Sequence, residues 1–176
     1  MGRRSLLAVS LSAVLLAAGG ATPLSKNGIL EVRVTDHREA IEDFSSLRVT
    51  ISKVGIHPAT APRREGWIDL ATSGESIDIT KHLDGPGALL LRTGVAGGRY
   101  NGFRVEVSGS KGQLQNKEEA EVKFIESAVF LLFPVTSGKA TIVTVDLYVV
   151  DMSDHPGGGY EMRVRGATHR MVDSKL

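Results

Sequence analysis

The residues with the most chemical capacity near the start of the folded part are Asp36 and His37, which close the run GILEVRVTDH. An Asp–His pair at a strand end would serve as a metal ligand set or an acid–base pair only with matching partners from elsewhere. The five histidines are His37, His57, His82, His155 and His169, and no two stand at H-x-x-x-H spacing. Asp at the end of a strand also accepts backbone hydrogen bonds, as it does in turns, so the strand reads as simply ending there. A second cluster, DMSDHPGGG over residues 151–159, places Asp151, Asp154 and His155 in one loop. Calcium takes roughly six to eight oxygen ligands, more than this loop offers, and the EF-hand pattern is absent. Nucleophile patterns are missing too. No G-x-S-x-G occurs, and Ser108 and Ser110 lie in VSGSKG, which reads as a hairpin turn. The glycine-rich GVAGGRYNG leads into a strand, so it lacks the helix N-terminus of a phosphate cradle. The expectation is a protein without catalytic residues, metal ligands or a cofactor, and not an enzyme.

Recognition chemistry remains. Sugar binding needs flat aromatic faces beside polar groups, and the chain has one Trp, three Tyr and five Phe. Trp67 follows Glu65-Gly66 at a strand start and reads as a core or sandwich-edge residue. Tyr100, just after Gly97-Gly98-Arg99, reads as a tyrosine bonding back across a β-corner. Tyr148 differs. With Val143, Val145, Leu147 and Val149 facing the core, Thr144, Asp146 and Tyr148 share the outer face, and Ile142 and Val150 make that face less polar than a solvated one. Thr144, Asp146 and Tyr148 are therefore the candidate contact surface for an envelope protein or glycan partner, an aromatic ring flanked by a carboxylate and a hydroxyl. The alternative is that the domain covers this face itself, with residues 81–91.

These residues need strands to position them, and the chain supplies period-two alternation almost throughout. Leu30, Val32 and Val34 alternate with Glu31, Arg33 and Thr35; Leu47, Val49 and Ile51 do the same, and Val54 and Ile56 continue with opposite parity. A one-residue slip would expose a whole face, so a bulge near Ser52 and Lys53 is expected. Trp67–Leu70, Ile77–Ile79, Tyr100–Val107, 121–125, 141–150 and 160–165 complete about eight strands. Short helical turns fit only 38–44 and 81–91. Many short strands with glycine-rich connections predict an all-β fold, a single antiparallel Greek-key β-sandwich over residues 28–166, with a linker at 21–27 and a C-terminal tail at 167–176.

The start, MGRRSLLAVSLSAVLLAAGGATP, reads as an export signal: Arg3 and Arg4, an apolar core from Leu6 to Ala18, then Ala18, Gly20 and Ala21 as small residues for a peptidase. The apolar core is shorter than the roughly 20 residues a bilayer span requires. Retention as an uncleaved anchor and export by a twin-arginine route are the minority readings. No transmembrane segment is expected once residues 1–20 are removed. There is no cysteine, which excludes disulfides, thiolate metal sites and lipid attachment at cysteine, and an exported chain without disulfides suits a bacterial periplasm or surface. Of 21 basic and 20 acidic residues, the signal carries two arginines, so the 156 residues left are near neutral and imply neither nucleic acid nor an anionic membrane as partner. Self-association is left open.

The order of segments is itself distinctive: VRVTDH, an acidic link, LRVTISKVGIH, an isolated GWIDL, IDIT, AGGRYNGFRVEV and a late ATIVTVDLYV. Over about residues 28–165 this resembles the bacterial and archaeal family catalogued as domain of unknown function 4382. The resemblance implies an exported or lipid-anchored protein with a transthyretin-like or carbohydrate-binding-like sandwich, and it supplies no active site. Two positions depart from the family's pattern. His37 and Arg38 follow Asp36 where a small residue and proline are usual, and LLAAGGA has glycine where a lipidation cysteine would stand, so lipid anchoring is not carried over. If the leader is a cleaved signal, N-terminal sequencing of protein recovered from the envelope will begin near Ala21 or Thr22. Full-length chain in the cytoplasm would contradict it.

Overall fold

Alternating apolar and polar residues pair into strands because only one face of each strand then needs covering. A computed structural model describes residues 27–36, 40–83 and 85–174. The expected signal at 1–20, all of the linker but Asn27, and His37 lie outside them. In chain order the strands are β1 (Gly28–Asp36), β2 (Phe44–Pro58), β3 (Ile68–Ala71), β4 (Ser76–Asp78), β5 (Ala88–Val95) and β6 (Gly98–Leu114). Then follow β7 (Glu119–Ala120), β8 (Val122–Ile125), β9 (Ala128–Val129), β10 (Phe133–Val135), β11 (Lys139–Asp151) and β12 (Tyr160–Asp173). Short 3-10 turns stand at Ala40–Asp43, within the expected 38–44, and at Ile79–Lys81.

The strands form two sheets, one ordered β5-β1-β11-β12-β8 and the other β10-β6-β2-β3 with β4, β7 and β9 as short additions. Leu30, Val32 and Val34 of β1 and Val143, Val145, Leu147 and Val149 of β11 are fully buried. They share one core cluster with Leu47, Val49, Val54 and Ile56 of β2 and Phe103 and Val105 of β6. Each such side chain is worth about 1.5–3 kcal/mol on burial. The all-β sandwich is as the alternation predicts. So is the bulge: Ile51 pairs with Val107 and Lys53 with Glu106, leaving Ser52 as the extra residue, and Ile51 and Val54 both point inward. The exposed Ser52 hydroxyl bonds Glu106 at 3.2 Å on the far side.

Four details differ from expectation. The first sheet is mixed, not antiparallel: β1 runs parallel to β11, and β12 parallel to β8. A parallel pair needs a long crossover, and here the whole second sheet lies between the two partners in sequence. The VSGSKG segment is not a hairpin turn but the interior of β6, where Ser110, Lys111 and Gly112 pair with Val49, Arg48 and Leu47. The fifteen residues of β2 give β6 a partner past that point, and Gly112 leaves the space that the Phe44 ring fills. Residues 167–173 are not a tail; they continue β12 because β11 begins as early as Lys139, which pairs with Asp173. Finally, residues 88–95 form an edge strand beside β1, so that segment extends the first sheet instead of covering its outer face.

Val105 is fully buried opposite Val54. An aspartate there strands a charge in the core, so Val105→Asp is expected to cost about 3 kcal/mol or more and to unfold the domain. Urea denaturation followed by far-ultraviolet circular dichroism checks this, and an unchanged midpoint would contradict the inward assignment of Val105.

Candidate functional site

The outer face of β11 carries the residues singled out from sequence. Thr144, Asp146 and Tyr148 are all half-buried there, and Ile142 is only 6% exposed between Glu31 of β1 and Arg170 of β12. Thr144 and Asp146 line an open groove of about 450 Å³ together with Thr35 of β1 and Arg165 and Thr168 of β12. The groove exists because the ladder slips there. Asp146 pairs with Gly166 and Leu147 with Val164, so Arg165 is a bulged residue, and Gly166 puts no side chain opposite Asp146. Bulges re-aim side chains in this way. Tyr148 stands outside the groove, opposite Arg163, whose guanidinium donates to Glu161 at 2.5 Å and interacts electrostatically with Tyr148. The structure thus groups two of the three predicted residues and gives the third a neighbouring network.

Beside the groove, Glu31 is 4% exposed although it faces outward. Its two carboxylate oxygens accept from Arg33 Nε at 2.6 Å and Arg92 Nη1 at 2.9 Å, and Arg33 also donates to the Gly87 carbonyl at 3.2 Å. Charge-assisted bonds of this kind tie the two arginine side chains to Glu31. Alternation marks Glu31 as an outward residue, but its burial follows from β5, which supplies Arg92.

The opposite sheet carries a second groove, of about 360 Å³, lined by His57, Arg63, Trp67, Asn101, Gly102, Ala128, Val129 and Phe130. Trp67 is half-buried, neither core nor free. The Arg104 guanidinium stacks 4.6 Å from its ring centre, and Arg104 is anchored by Asp69 at 3.0 Å. The His57 ring meets Trp67 edge-on at 5.3 Å. His57 is buried, with Nδ1 2.8 Å from Asn101 Oδ1 and Nε2 3.0 and 2.9 Å from the Pro62 and Glu65 carbonyls. It therefore staples the loop that carries Arg63 to the strand that carries Asn101. Sequence reading passed over this site because its members come from four separate segments and share no spacing.

The remaining candidates have structural surroundings. Asp36 is buried at the end of β1, and its backbone N–H reaches the His82 carbonyl at 3.4 Å. In the 151–159 loop, Asp151 Oδ1 accepts from the Ser153 amide at 2.8 Å, an ordinary Asx turn, and Gly157, Gly158 and Gly159 all have positive φ. Among the described residues no group of three His, Asp or Glu side chains is placed to hold a metal ion. Tyr100 behaves as read: its hydroxyl donates to the Ala96 carbonyl at 2.8 Å.

The family described as a domain of unknown function (DUF4382) matches residues 27–163. The chain belongs to this family. No curated protein and no solved structure matches it. Among the described residues of this DUF4382 chain no helix is long and apolar enough to cross a membrane. The matched span includes β1 through the first residues of β12, and so includes both grooves except the stretch of β12 beyond Arg163.

The staple in this DUF4382 domain has a pH signature. The Asn101 side chain first, and the Pro62 and Glu65 carbonyls with it, favour the doubly protonated ring and raise His57 above its ordinary value of 6.5, although burial opposes them. A raised pKa means the folded state holds the proton more tightly than the unfolded one. The added stability is complete below pH 6.5 and is lost as pH climbs through the raised value. Thermal melts of the parent and His57→Gln should differ most near pH 6 and least near pH 9. A gap that widens with pH would contradict the charged staple.

Proposed function

We propose that this protein is an exported, non-catalytic β-sandwich module that binds a protein or glycan partner at the cell envelope or surface. The single observation that carries the reading is the groove on the face of β11, where Thr35, Thr144, Asp146 and Arg165 converge from three adjacent strands. Its lining has hydroxyls, a carboxylate and a guanidinium on rigid strands, which suits directional recognition at a solvent-open face. The groove is open, and residues 88–95 extend the sheet sideways beside β1. The leader sequence supports the export part of the proposal.

A second reading is a structural subunit of a larger envelope or extracellular assembly, joined through strand edges. What favours it is β12: β8 pairs with only Tyr160–Arg163, and among the described residues no strand pairs the same edge from Val164 to Asp173. An unpaired edge is a template for another chain. Gel filtration of the mature protein separates the two readings, since an edge-joined subunit self-associates as concentration rises.

For the first reading, Asp146→Ala is expected to weaken retention on the producing cell's envelope fraction by tenfold or more, about 1.4 kcal/mol, with the melting temperature within a degree or two of the parent. Tyr148→Ala, one step along the same face and outside the groove, is expected to weaken it less. Unchanged retention in both variants would remove this face from the binding surface.

A further inference from the structure

We propose that the groove between Trp67 and Phe130, on the sheet opposite the β11 face, binds a sugar ring of a polysaccharide. Phe130 is 79% exposed at the lip of this groove, the most exposed large apolar residue among those described. A phenyl ring held in water beside a groove gains from any partner that covers it. Across the groove, Trp67 is fixed before any ligand arrives, with Arg104 stacked at 4.6 Å, His57 edge-on at 5.3 Å, and Arg104 itself tied to Asp69. Side chains already ordered lose little further freedom on binding.

The floor between the two rings is backbone. A Cβ added at Gly102 would stand 3.0 Å from Trp67 Cη2 and 2.9 Å from His57 Cβ, so only glycine lets the indole lie this low. Arg63 and Asn101 supply planar polar groups at the same groove, and with Oδ1 engaged by His57, Asn101 has its Nδ2 amide as the donor. Aromatic walls take the C–H face of a pyranose, which is drawn to the negative face of the ring. Forked donors such as guanidinium and amide suit its adjacent hydroxyls or a uronate carboxylate. A proline-rich peptide also uses aromatic grooves, but it offers Arg63 and Asn101 only single backbone carbonyls, not the adjacent hydroxyls or carboxylate that a forked donor matches. The volume of about 360 Å³ in an open groove suits a single sugar ring.

Trp67 is the only tryptophan in the chain, so its emission reports on this groove directly. Purified protein is titrated with cellohexaose, chitohexaose and hexagalacturonate, with decaproline as the competing class. A saturable emission change with at least one hexasaccharide, weakened tenfold or more in Phe130→Ala at an unchanged melting temperature, supports the proposal. No saturable change with any of the three, a change with decaproline alone, or equal affinity in Phe130→Ala overturns it. Asp146→Ala is titrated in parallel: loss of sugar binding there, with none in Phe130→Ala, moves the sugar to the β11 face and likewise overturns this assignment.

Discussion

The fold depends on β1 having neighbours on both sides that come from distant parts of the chain. Its inward residues Leu30, Val32 and Val34 are fully buried, yet its partners are β5 and the late strand β11, with which it is parallel. A strand buried in this way cannot complete its hydrogen bonds until residues more than a hundred positions away have been made and brought back. The second sheet, assembled from the intervening chain, supplies the surface on which that return is made. Closing so long a loop carries an entropic cost before any contact repays it, so topology of this kind folds slowly. The outward side of β1 reflects the same enclosure. Glu31 sits at 4% exposure and is tolerated there because Arg33 and Arg92 satisfy both of its oxygens.

Sequence pattern carried far where the constraint is local. The parity change between Ile51 and Val54 requires a bulge, because without one either set of side chains would face water. Tyr100 beside a glycine pair has one economical structural use, a hydroxyl bonded to a carbonyl a few residues upstream. The face shared by Thr144, Asp146 and Tyr148 follows from alternation alone. What the pattern does not contain is partner identity. Parallel and antiparallel strands alternate alike, so nothing within residues 28–36 reveals that the neighbour is β11. Gly109 and Gly112 argue for a turn on local preference, and the long β2 overrides that preference by offering a continuous ladder. Thr168, His169, Arg170, Met171 and Asp173 are exposed, as in a tail, because they lie on an edge strand. The Trp67 groove was illegible for a related reason, since Trp67, Asn101 and Phe130 meet through the pairing of β2 with β3 and β6, and of β6 with β9.

Both grooves arise by one physical means. A regular sheet face is a carpet of side chains, and concavity appears only where side chains are missing or displaced. On the first sheet Gly166 stands opposite Asp146 and the bulge displaces Arg165. On the second, Gly102 lowers the floor, and the Arg104 side chain lies across Gly55 to reach Trp67. Glycine within a strand costs conformational entropy and packing, so two such places in one small sandwich mark positions where shape has been kept at the expense of stability.

The open edge of β12 bears on how such a module meets other molecules. Natural sheets blunt an edge with bulges and charged side chains, because a flat apolar edge recruits strands without selectivity. Here the edge beyond β8 carries the Arg165 bulge, Gly166 next to it, and exposed Arg165 and Arg170. A bulge breaks the regular spacing of donors and acceptors that an added strand must match, and two guanidinium groups must be desolvated if that strand is to lie alongside. Both effects weaken strand addition at the point where the edge borders the β11 groove. The arginine that blunts the edge is the one that lines the groove. The same bulge therefore works against edge pairing while it shapes the groove, which suits the proposed binding module better than one that polymerises through its strands.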